Sequence, residues 1–92
     1  MIRDALTFLV ENEPTIVKEL SSHFDLYKIT DNTDRTDIAC NYIDDLLYSS
    51  NDLYLDPEDR MDIMSSREFR MFLNNLLHTI QGGNRGTKDQ VH

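Results

Sequence analysis

The chain has 92 residues, with seventeen acids against nine bases and a formal charge of −8. That length allows one domain at most, of modest stability, because so short a chain buries only roughly 60–65% of its unfolded surface. The charge repels free nucleic acid and anionic membrane, the lone Cys40 excludes an internal disulfide, and the lack of a long apolar run argues for a soluble, cytoplasmic protein without a leader or membrane span.

Met1–Asn12 places Ile2, Ala5, Leu6, Leu9 and Val10 on one side of a helix, and Asn12 is suited to end it in the left-handed region. Pro14 then fits the first position of a second helix reaching Phe24, whose apolar side is Ile16, Val17, Leu20 and Phe24. The short break makes these two helices packing neighbours. Asp25–Arg35 has no helical or alternating period and is expected to be a loop, with Leu26 and Ile29 turned inward and Thr33 or Asp34 capping the next helix. It does not make a calcium loop, since Thr33 and Arg35 would stand at ligand positions and the turn glycine is missing.

Asp31–Asp62 is the tract on which the rest of the reading depends. It holds ten carboxylates against two cations, Arg35 and Arg60, so it carries the entire net charge, while the remaining sixty residues balance seven acids with seven bases. Within it, Thr36–Ser50 reads as a helix with Ile38, Ala39, Tyr42, Ile43, Leu46 and Leu47 on one stripe. Asp37, Asn41, Asp44, Asp45 and Tyr48 fall on the other side, with no Lys or Arg three or four residues from Asp44 or Asp45 to compensate them. Cys40 lies on the flank of the apolar stripe, as a small buried thiol.

Asn51–Met64 admits two structures. Asp56-Pro57-Glu58-Asp59 is a good helix start, with a cap, an early proline and acids at the positive end of the dipole. The rival is a short β-hairpin over 53–63, pairing Leu53 and Leu55 with Ile63 and Met61. The helix is preferred. Ser65–Gln81 follows as a helix opened by a Ser65/Glu68 capping box and closed by Gly82-Gly83. Its stripe of Phe69, Phe72, Leu73, Leu76, Leu77 and Ile80 is long enough to serve either a core or a dimer seam. Its outer side, with Arg67, Arg70, Asn74, Asn75 and His78, is neutral to basic. Residues 82–92 have almost no apolar content and are expected to form a disordered tail beyond a helical domain over 1–81.

No chemistry-bearing constellation emerges. His23, His78 and His92 are far apart, with no metal-ligand spacing. No serine lies in a nucleophile elbow, no glycine-rich loop follows a strand, and adjacent carboxylates on a helix point about 100° apart. The expectation is a non-catalytic protein without metal or cofactor.

Pro14–Leu26, through Ile16, Val17, Glu19, Leu20 and Phe24, resembles the first helix of a helix-turn-helix motif. That resemblance implies a winged-helix or helix-turn-helix regulator. The chain departs from the motif in its long, glycine-free turn, and in a following helix that exposes Asp37, Asp44 and Asp45 where DNA readers carry Arg, Lys, Asn or Gln.

The fold expected is therefore mainly α, a bundle of four to five helices. The function expected is that of an acidic binding protein that regulates or inhibits a basic partner, in its strongest form by imitating a nucleic-acid backbone before a nucleic-acid-binding protein. The candidate surface is Asp34, Asp37, Asp44, Asp45, Asp56, Glu58, Asp59 and Asp62. A homodimer through the Phe69–Ile80 stripe is expected as well. The alternatives are the helix-turn-helix regulator and a helical assembly or chaperone-like subunit that donates this stripe to a partner.

Overall fold

The computed structural model describes the backbone of residues 2–50 and 53–89, and the side chains of 3–50 and 53–82. Five helices follow one another: α1 (Ile2–Glu11), α2 (Glu13–Leu26), α3 (Asn32–Ser49), α4 (Pro57–Ser65) and α5 (Arg67–Asp89). The mainly α bundle is thus the fold, and among the described residues no strand forms. The hairpin alternative over 53–63 gives way to α4, because Asp56 caps it: its Oδ1 accepts the Asp59 N–H at 2.8 Å, and Pro57 gives up no hydrogen bond in the first turn.

The long α5 is the spine, packed against each of the other four helices, while α3 and α4 also pack on one another and α1 bridges α2 and α4. Each helix contributes its apolar stripe to one core: Ala5 and Leu9; Ile16, Leu20 and Phe24; Ala39, Ile43 and Leu47; Ile63; and Phe69, Phe72, Leu73, Leu76 and Ile80. No polar or charged side chain among the described residues is buried with them, so burial of apolar surface carries the packing.

Several local expectations are corrected. Asn12 closes α1 without entering the left-handed region (φ −98°); instead its side-chain amide donates to the Phe8 carbonyl at 2.7 Å, and its own carbonyl accepts the Ile16 N–H to start α2. Pro14 accordingly stands second in α2, after Glu13. On the first helix, Val10 is exposed and the half-buried Phe8 packs against the core in its place; the Ile2 side chain lies outside the described ones.

The loop after α2 is shorter than expected. Helix α2 runs two residues further, to Leu26, whose side chain is exposed and not tucked inward. Lys28 then takes a left-handed backbone (φ 55°), while the Ile29 N–H donates to the Phe24 carbonyl and the Lys28 N–H to that of Asp25. This is a Schellman stop with lysine in the glycine position, and the half-buried Ile29 packs on the core as such stops favour. Asp31, not Thr33 or Asp34, caps α3, its Oδ2 accepting the Asp34 N–H at 3.1 Å.

At the start of α5 the cap is Ser66 instead of Ser65, which ends α4. The Ser66 hydroxyl accepts the Phe69 N–H at 3.1 Å and donates to the Ile63 carbonyl at 2.7 Å, so one side chain closes α4 and opens α5. At the other end α5 continues through Gly82-Gly83 to Asp89, so 81/82 is not a helix boundary. A glycine ends a helix by adopting positive φ, and no described glycine does so. Gln90–His92 lie outside the described residues.

Candidate functional site

Helices α3 and α4 are the two described helices of the acidic tract, and they pack side by side. The eight candidate carboxylates are therefore brought onto one adjoining pair of helices. Asp34, Asp37 and Asp45 are exposed on α3, and Glu58 and Asp62 on α4; Asp56 is exposed at its cap, and Asp59 is half-buried. Asp56 is committed to capping through the Asp59 N–H. At about 100° per residue, Asp37, Asn41, Asp44 and Tyr48 fall on the α4 side of α3, with Asp34 and Asp45 further toward solvent.

The two cations of the tract are drawn inward, and this shapes the surface most. Arg60 is only 16% exposed; its Nε reaches Asp44 Oδ1 at 3.2 Å, and its guanidinium lies 4.9 Å from the centre of the Tyr48 ring. Asp44 is thus compensated after all, by a residue sixteen positions away that no helical spacing would pair with it. Arg35 donates from Nε to the Ile29 carbonyl at 2.7 Å and lies 4.9 Å above the Phe24 ring. Both guanidinium groups serve packing, and the outward face is left to carboxylates. Among the described residues Asp44 alone of the eight is ion-paired.

Apolar groups interrupt this charged face. Tyr48 and Met61 are exposed at about 70%, and Tyr54, at the loop between the helices, is 86% exposed with a left-handed backbone (φ 52°). A cleft of about 360 Å³ lies between the helices, lined by Cys40, Asn41 and Asp44 from α3 and by Pro57, Met61 and Met64 from α4, with Arg60 at its side. Cys40 is half-buried there; burial, and then the charge of Asp37, push its thiol above the ordinary range. It therefore stays protonated at neutral pH and is a poor nucleophile. On the far side of α3, burial followed by the charge of Glu19 likewise raises Tyr42.

Phe69, Phe72, Leu73, Leu76 and Ile80 are buried against helices of the same chain, with Leu77 partly covered. His23 is exposed and its ring meets that of Tyr27 at a tilt of 45°, with centroids 4.7 Å apart, and His78 is exposed on α5. Among the described residues no three His, Cys, Asp or Glu side chains converge as metal ligands, and no helix is long and apolar enough to cross a membrane.

Sequence reasoning missed Arg60, Pro57, Met61 and Met64 as parts of this surface. Only Arg60 offered a signal, as one of two cations in an otherwise acidic tract. No protein-family model, characterised protein or solved structure matches the chain.

Proposed function

We propose that the protein is a non-catalytic acidic binding protein that regulates or inhibits a basic partner, with the α3–α4 face as its contact surface. The observation that carries this reading is the fate of the two cations. Arg35 and Arg60 are held by a backbone carbonyl, aromatic rings and Asp44, while Asp34, Asp37, Asp45, Glu58 and Asp62 remain exposed. A solvated helix surface ordinarily mixes the signs. Concentrated negative charge instead accelerates encounter with a positive patch and disfavours acidic partners. In its strongest form the face imitates the phosphate density of duplex DNA, about one charge per 1.7 Å of axis, and occupies the groove of a nucleic-acid-binding protein.

The test is capture from source-cell lysate, with elution by stepwise salt and, in parallel, by excess duplex DNA. Release of a nucleic-acid-binding protein by DNA at modest salt is the expected result. The fourfold variant Asp34→Asn, Asp45→Asn, Glu58→Gln and Asp62→Asn should then bind that protein at least roughly tenfold more weakly and with a shallower salt dependence, with its melting temperature kept or raised, because all four side chains are exposed and their mutual repulsion is relieved. A partner that binds the variant with unchanged affinity would remove the function from this face.

A further inference from the structure

The cleft between α3 and α4 adds apolar chemistry to the acidic face. Pro57, Met61 and Met64 recur at i, i+4 and i+7 and so share one side of α4, turned to Cys40, Asn41 and Asp44 of α3. Met61 is 70% exposed. An unbranched, polarisable thioether in that position can fit apolar groups of varied shape. Asp44 lines the cleft on the α3 side; at about 100° per residue the exposed Asp37 shares that side of α3, and the exposed Glu58 and Asp62 fall on the solvent side of Met61 on α4. Arg60, the one cation lining the cleft among the described residues, is already held by Asp44 and Tyr48.

We propose that this cleft is the docking site for a basic amphipathic helix, which inserts an apolar side chain against Met61, Met64 and Pro57 while its Lys or Arg residues engage Asp37, Glu58 and Asp62. The inference rests on the acidic-face reading and deepens it, by giving the partner an apolar anchor as well as a charge. Charge complementarity selects this occupant. A second copy would bring the same excess of carboxylates against itself, which costs free energy. A helix satisfies its own backbone, which suits a surface whose described elements offer no strand edge to extend. The cleft is open and near the lower end of small-molecule pocket sizes, about 300–1,000 Å³, so it matches one anchoring side chain better than an enclosed cofactor.

The probe is a synthetic Leu/Lys peptide of about 18 residues, long enough to form a helix, with leucines at i, i+3, i+4 and i+7. Its control is a permuted peptide of the same composition without an apolar side. Binding is followed through the methionine methyl resonances of the labelled protein, with Met71, exposed on α5, as an internal reference. The amphipathic peptide should bind at least roughly tenfold tighter than the permuted one and shift the Met61 and Met64 methyls while leaving Met71 in place. Met61→Gln should reduce that preference several-fold without changing the melting temperature. Equal affinity for the two peptides with unmoved Met61 and Met64 methyls would overturn the docking site and leave the acidic face standing. Failure of both peptides to bind at low salt would overturn both.

Discussion

Arg35 and Arg60 show how a residue's neighbours decide what its charge does. In the chain they look like relief for a run of carboxylates; in the fold each lies across an aromatic ring and is hydrogen-bonded, and of the eight acids Arg60 pairs with Asp44 alone among the described residues. Lys28 is a second case, since it holds a left-handed backbone that an L side chain adopts at a cost of roughly 1–2 kcal/mol. Lys28→Gly relieves that cost and loses part of the gain to the greater entropy of the unfolded chain. It should therefore stabilise the fold by about 0.5–1 kcal/mol, whereas Lys28→Ala should give no gain. Urea unfolding of the two variants makes the comparison, and equal midpoints would refute the Schellman assignment. Neither feature was legible beforehand. The Arg60–Asp44 contact depends on how α3 and α4 are set together, and a lysine carries none of the turn preference by which glycine announces a helix stop.

At the scale of the element, side-chain caps set the helix starts, and the sequence offered more caps than the fold uses. Thr33, Asp34 and Ser65 are all good capping types, yet Asp31 and Ser66 do the work. The choice falls to packing. Moving the start of α3 back to Asn32 lets Ile29 reach the core across a tight stop, and moving the cap of α5 to Ser66 lets one hydroxyl serve both α4 and α5. Ser66→Ala should therefore cost about 1 kcal/mol or more, because the cap and the bond to Ile63 go together. Ser65→Ala should stay within about 0.5 kcal/mol, as for an exposed position without a capping role. Thermal or chemical unfolding decides between them, and the reverse order of effects would restore the capping box at Ser65. The stripes of α3 and α5 were readable: Ala39, Ile43 and Leu47, like Phe69, Phe72, Leu73, Leu76 and Ile80, are buried at the spacing that marked them.

At the scale of the whole molecule, the charge is segregated: the tract of α3 and α4 carries the excess, and the rest of the chain is balanced. Folding holds these carboxylates closer together than the unfolded chain does, with one ion pair among the described residues to set against their repulsion. Added salt shortens the screening length from about 30 Å at 0.01 M to about 3 Å at 1 M. Stability against urea should accordingly rise with sodium chloride, by about 0.5–1 kcal/mol between low and high salt, while affinity for a basic partner falls. A fall in stability on adding salt would mean that attractive pairs outweigh the repulsion. The burial of the Phe69–Ile80 stripe within one chain belongs to this scale too, because the same row of apolar residues could have met either its own α1–α4 or another copy.

The sequence by itself determined that the protein is a helical bundle, most of the residues that form its core, and that its charge is confined to one third of the chain. Helical period and composition are local properties, and they survive whatever arrangement the helices take. Only the tertiary structure decided that the two internal cations turn inward, that Asp44 is paired while Asp34 and Asp45 are not, and that a methionine-lined cleft opens within the acidic face. Each of these depends on contacts between residues distant in the chain. Their free energy comes from the way α3, α4 and α5 pack together, which no window of neighbouring residues contains.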